Sequence, residues 1–378
     1  MKSEKIHFPG LNSLRFFAAL SVLIGHVELT KHFFDVPNCN DLFERINFGG
    51  MGVYFFFVLS GFLITYLLCV EKERTATISI KDFYVRRILR IWPLYFLILV
   101  LGFFVLQRFD FFVFFPTSFK ENYSSNLLLY LIILPNLAFS INQQPVAHIG
   151  QLWSIGVEEQ FYIFWPALVK FSKKLMRTIV FLFCSYILLK IVIMLLPHFM
   201  ATGQKYLAVK RFFAMSKFEC MMMGSMGAVL LFEKKEGILR LLYNPVLQVV
   251  ALVGFPFLSY SAGKDNFFQN VVHLPLSFLF LVIIINIASN PKSLIKGEHR
   301  WLEHLGKISF GIYMYHLIII FILVKLLKLQ FSENPVLANM LVYPFSLFFS
   351  CLISHLSYVF FEEYFIKLKL KFTKVISG

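Results

Sequence analysis

His26 follows Arg15 by eleven positions within one apolar stretch, about three helical turns, so both side chains share a face with roughly 16 Å between them along the axis. A second apolar stretch carries the adjacent carboxylates Glu158 and Glu159, and a third carries His316 in Ser309-Phe310-Gly311-Ile312-Tyr313-Met314-Tyr315-His316. An ionisable group in a lipid-spanning helix costs at least about 2.5–3.5 kcal/mol near the bilayer centre on insertion scales, so each needs a partner or a task. Counted from their helix ends, His26 and Glu158 fall at similar depth and could meet. A polar cavity across the membrane would account for both and for His316. An imidazole titrates near neutrality and is equipped for proton transfer. Arg86, Arg87 and Arg90 form a further cluster, whose planar forks suit a phosphate or a nucleotide diphosphate. Structural alternatives stand beside each reading: a buried His can bridge two helices, a Glu can pair with a base, and arginines at a helix mouth can anchor a loop.

The elements that position these residues have to be helices in lipid. Of 378 residues, 58% are hydrophobic, 15% are charged and 48 are phenylalanine, a composition far from that of water-soluble domains. Lipid satisfies no backbone groups, so spanning segments must be helical. About ten transmembrane helices are expected, at 14–29, 50–70, 91–106, 152–171, 178–196, 212–232, 245–260, 271–289, 308–325 and 337–361. Basic clusters follow every even-numbered span, among them Lys72, Arg74, Lys81 and Arg86 after the second, Lys173, Lys174 and Arg177 after the fourth, and Lys367, Lys369, Lys371 and Lys374 after the tenth. This places those loops, and both termini, in the cytoplasm. The stretch 127–139 is too short to span and holds Pro135 and Asn136; it is expected to be a re-entrant or interfacial broken helix.

The whole of 1–378 therefore reads as a single all-α integral membrane domain. The formal net charge of +15 is spread over short interhelical clusters, which argues against a nucleic-acid surface. Cys39, Cys69, Cys184, Cys220 and Cys351 show no paired spacing, and no His or carboxylate spacing suggests a metal site.

Four motifs in order give the chain its resemblance to the acyltransferase 3 family of bacterial membrane acyltransferases. They are Gly10-Leu11-Asn12-Ser13-Leu14-Arg15-Phe16-Phe17-Ala18-Ala19-Leu20 with Gly25-His26; Phe57-Val58-Leu59-Ser60-Gly61-Phe62-Leu63-Ile64; Arg86-Arg87-Ile88-Leu89-Arg90-Ile91-Trp92-Pro93-Leu94-Tyr95; and Leu152-Trp153-Ser154 through Glu158-Glu159-Gln160-Phe161-Tyr162 to Trp165-Pro166. Phe16, Phe17 and Gly156 depart from the family pattern. With little chain after the tenth helix, the sequence resembles the stand-alone members that lack a fused hydrolase-like domain.

The resemblance implies a membrane O-acyltransferase of the bacterial plasma membrane. Its donor would be cytoplasmic acyl-CoA, usually acetyl-CoA, serving as co-substrate with no bound cofactor. Its acceptor would be a hydroxyl of a cell-surface or lipid-linked carbohydrate. Arg87 and Arg90, with Arg86, would hold the donor phosphates and Arg15 would guide the pantetheine arm. His26 would act as general base with Glu158 orienting it, while Glu159, His316, Trp153 and Ser60 would support them. Alternatives at this point are a covalent acyl-enzyme on His26 or Ser60, a lipid, peptide or secondary-metabolite acceptor, and a proton-coupled membrane transporter.

Overall fold

The computed structural model describes residues 6, 8, 10–114, 120–142, 146–198, 203–262, 271–297 and 299–373; Lys374 of the C-terminal basic cluster lies outside them. Ten helices of fifteen residues or more lie among the described residues, at the expected places: α1 Leu11–Phe33, α2 Phe48–Thr75, α3 Ile80–Val100, α4 Leu152–Phe171, α5 Leu175–Leu195, α6 Phe218–Phe232, α7 Pro245–Ala262, α8 His273–Ser289, α9 Ser309–Leu326 and α10 Pro335–Ser357. By length and composition six helical stretches are able to cross a membrane, and seven if Glu236–Leu242 and the adjoining Pro245–Leu258, bent by 54°, form one span. Helices α4, α6 and α8 fall short of that measure. The protein is an all-α, multi-pass membrane protein.

Apolar side chains such as Leu188 on α5, Val253 on α7 and Phe348 on α10 are exposed and form the lipid-facing surface, where no water would be displaced by burying them. The interior is built by close helix crossings at glycine. A Cβ on Gly61 would sit 1.9 Å from the Met221 carbonyl oxygen, and one on Gly224 would sit 1.9 Å from that of Val58. Only hydrogen fits at this α2–α6 crossing, the small-residue packing that membrane helices use for adhesion. Helices α1 and α2 meet the same way, a Cβ on Gly52 falling 2.4 Å from the Ala18 carbonyl oxygen. That contact ties the His26-bearing helix to the Ser60-bearing one.

The 127–139 stretch is a broken helix, Tyr123–Leu131 and Pro135–Asn142, with Ile133 between them in the left-handed region at φ 60°. Protein covers the freed backbone: the Tyr95 hydroxyl donates to Tyr130 O at 2.7 Å, and the Asn136 and Gln160 amides exchange hydrogen bonds at 3.2 and 2.7 Å.

One end of the bundle gathers the start of α1, the α2–α3 corner and residues 363–372. Here Lys72 Nζ caps α4 through Val169 O and Ser172 O at 3.0 and 3.1 Å, and Arg86 donates to Phe372 O at 2.9 Å. This is the basic end. At the opposite end Glu219 on α6 takes Lys190 of α5 and His273 of α8, each at 2.5 Å, while Lys217 sits 3.4 Å from His273 Nδ1 and over the Tyr54 ring. Charges buried this deeply persist only because they are paired.

Candidate active site

A cavity of about 390 Å³ lies at the basic half of the bundle among α1, α2, α3, α4, α9 and the segment around Lys369. Among the described residues five basic side chains line it, Arg15, Arg87, Arg90, Lys307 and Lys369, against the single carboxylate of Glu158. The helical repeat explains how α3 contributes: positions 87 and 90 are three apart and share a face, whereas position 86 is turned by about 100°.

Arg87 stands over the rings of Phe83 and Tyr162, at 5.8 and 6.0 Å, with its buried Nε lacking a hydrogen-bond partner among the described residues. Arg90 lies 3.6 Å from Glu362 and over the Phe310 ring. Arg15 is fixed by donating to Asn12 Oδ1 at 2.9 Å, and Asn12 in turn donates to Glu303 at 3.0 Å. Arg86 is turned away from the cavity. It is bound to Glu71 at 2.9 Å, whose other oxygen accepts from Ser79 N at 2.9 Å, so this arginine locks the α2–α3 corner.

Deeper in the cavity the Ser60 hydroxyl donates to Glu158 Oε1 at 3.2 Å, and Tyr162 donates to Oε2 at 2.8 Å. Glu158 thus joins α2 to α4 and does not hydrogen-bond His26. Glu159 faces elsewhere and accepts from Trp92 Nε1 at 2.9 Å. Trp153 packs edge-on against Phe57.

His26 pairs with His316. Its Nδ1 lies 3.1 Å from Val22 O and 3.0 Å from His316 Nε2, and His316 Nδ1 lies 2.7 Å from Tyr313 O. Carbonyl oxygens only accept, so both Nδ1 atoms carry the proton. His316 Nε2 then accepts from His26, and His26 Nε2 keeps its lone pair free. A base nitrogen oriented through the proton on the other ring nitrogen is the logic of a catalytic triad, with an imidazole standing where a carboxylate often does.

Neither histidine lines the cavity. Between them and it stands a layer of rings: Phe56 and Tyr313 both line the cavity and meet edge to face at 6.0 Å, and Tyr313 meets the His316 ring at 5.6 Å. The Tyr313 hydroxyl is held by Ser154 Oγ at 2.7 Å and by Gln151 O at 3.1 Å. Sequence reasoning assigned no role to Tyr313, Ser154 or Tyr162. The signal for Tyr313 was available, since it precedes His316 by three residues and so shares its helix face.

A family model described as an acyltransferase domain, acyltransferase 3, matches residues 8–358. The O-acetyltransferase OatA of Staphylococcus aureus (strain NCTC 8325 / PS 47) is 28% identical over 374 residues, covering 94% of this chain and 57% of that protein. The peptidoglycan O-acetyltransferase OatA of Listeria monocytogenes is 24% identical over 342 residues, covering 85% of this chain and 51% of that protein. The chain therefore spans a little over half the length of these relatives. No solved structure matches it. With the family model covering nearly all of the chain and the motif residues Arg15, Ser60, Arg87, Arg90 and Glu158 lining one cavity, the protein belongs to the acyltransferase 3 family.

Proposed function

We propose that the protein moves an acetyl group from cytoplasmic acetyl-CoA to a hydroxyl of a cell-surface or lipid-linked carbohydrate. The basic end faces the cytoplasm in this reading, because bacterial membrane proteins retain Lys and Arg in cytoplasmic loops. The observation that carries the reading is the cavity, rich in cations at its basic mouth and bounded inward by Tyr313, whose carbonyl oxygen holds the His316–His26 pair. The similarity to the peptidoglycan O-acetyltransferase of Listeria monocytogenes makes a peptidoglycan-type glycan the first acceptor to try.

Arg87 and Arg90 take the donor diphosphate through charge-assisted contacts, and Arg15 neighbours the pantetheine arm. The acceptor hydroxyl gives its proton to His26 Nε2 as its oxygen attacks the thioester carbonyl carbon. The C–S bond then breaks and the proton passes from His26 to the leaving thiolate, so the products are an ester and free CoA thiol. The Ser60–Glu158 hydrogen bond favours a second version, in which a hydroxyl activated by a carboxylate first accepts the acyl group. Labelled acyl-protein trapped in wild type and absent from Ser60→Ala would establish that route.

The test of the main reading is thiol release and label transfer to glycan by purified protein in nanodiscs. Both are expected in wild type and lost in a folded His26→Ala. Absence of both in folded wild type, across several acyl donors and glycan fractions, would return the weight to a proton-coupled carrier or a non-carbohydrate acceptor.

A further inference from the structure

Residues 363–372 do more than trail from the bundle. After α10 the chain makes one π-helical turn at Tyr358–Glu362, continues as the helix Glu363–Lys369 and ends in the short turn Leu370–Phe372. It folds back beneath α3, held by Glu362 against Arg90 at 3.6 Å and by Phe372 O accepting from Arg86 at 2.9 Å. The fold-back carries Lys369 to the mouth of the cavity, where it also lines a smaller recess of about 40 Å³ with Glu71, Arg86 and Arg87.

The placement of Lys369 is electrostatically costly. Its ammonium lies within electrostatic reach of Arg87, Arg90, Arg15 and Arg86, and it makes no side-chain hydrogen bond among the described residues, only its carbonyl accepting from Thr373. Like charges gathered at a half-buried mouth raise the free energy of the empty site, and an anion of high charge relieves it. The family model stops at residue 358, so this cation belongs to a segment outside the shared pattern.

Resting on the donor reading above, we infer that Lys369, carried on the folded-back segment 363–372, binds the 3′-phosphate of the donor nucleotide and makes the enzyme select 3′-phosphorylated CoA thioesters. The donor's own layout supports this. If its thioester reaches inward to the ring layer and its diphosphate meets Arg87 and Arg90, its remaining phosphate lies farthest from the thioester, at the mouth. A phosphate monoester carries about −1.5 to −2 charges at neutral pH. A compact ammonium suits that charge, whereas the bidentate forks suit the diphosphate.

Thiol release from acetyl-CoA and from 3′-dephospho-acetyl-CoA by wild type, Lys369→Gln and Lys369→Arg tests the inference. Wild type is expected to prefer acetyl-CoA by about tenfold in kcat/KM, Lys369→Gln to bring that ratio near one, and Lys369→Arg to restore most of it. A structural role for Lys369 would lower both donors alike and keep the ratio. An unchanged ratio in Lys369→Gln, or equal use of both donors by wild type, overturns this inference while leaving the donor reading intact. No thiol release from either donor by folded wild type overturns the donor reading and this inference with it.

Discussion

At the residue scale, adjacent arginines divide into two tasks. Arg86 and Arg87 are neighbours in sequence, but a helix turns them about 100° apart, one onto Glu71 and the other into the cavity. Arg87→Gln should raise the donor KM by about tenfold, the size of one lost charge-assisted contact. Arg86→Gln should raise KM less than Arg87→Gln does, through the loosened 363–372 segment, and chiefly lower the unfolding temperature, because breaking a buried pair costs about 3–5 kcal/mol. Steady-state kinetics and thermal unfolding in detergent separate the two. His316→Ala, which removes one of the two acceptors for His26 Nδ1–H and leaves Val22 O, should lower kcat by about tenfold with little change in donor KM. His316→Asn, which keeps an acceptor oxygen, should recover part of it. Arg15, His26, Glu158 and His316 were legible in the sequence as ionisable groups inside apolar helices, but the expected shared depth of His26 and Glu158 was not met: Arg15 and Glu158 line the cavity, whereas the two histidines lie beyond Tyr313. The pairing of the histidines was not legible, since His26 and His316 are 290 residues apart and only the helix packing brings them into contact.

At the element scale, the chain's helices were largely legible because the apolar runs are long and the basic clusters punctuate them. The count of true crossings was not, because α6 and α8 are short and the α7 region bends at 54°. The Glu219 network was also invisible in advance. Lys190, Lys217 and His273 come from three separate apolar stretches, and nothing in the sequence pairs them with Glu219. Glu219→Ala would leave Lys190 and Lys217 buried without a counter-charge, so stability should fall by about 3–5 kcal/mol, and the activity of the remaining folded fraction should be retained. The unfolding temperature and the specific activity of the monodisperse peak measure the two effects. Gly224→Leu, which drives side-chain carbon into the Val58 carbonyl, should abolish folding outright, since close packing leaves no room to yield.

At the scale of the whole molecule, the charge asymmetry sets an orientation that a native thiol reports. Cys39 is exposed in the connection between α1 and α2 at the end opposite the basic face. A membrane-impermeant maleimide should label it from outside intact protoplasts, with the label lost in Cys39→Ser. Labelling only after lysis would invert the proposed topology. The edge-to-face contact of Phe56 and Tyr313 across the inner end of the cavity has a consequence of its own. On the proposed reading, a bound thioester is an energy store exposed to any water that reaches it, and the two packed rings would act as a valve between the donor's side and the acceptor's side. The protein would then hold a charged donor without spilling its acyl group into hydrolysis until an acceptor parts the rings. Phe56→Ala should open that valve, so that thiol release without acceptor rises several-fold above wild type while the coupling between thiol released and acyl group delivered falls.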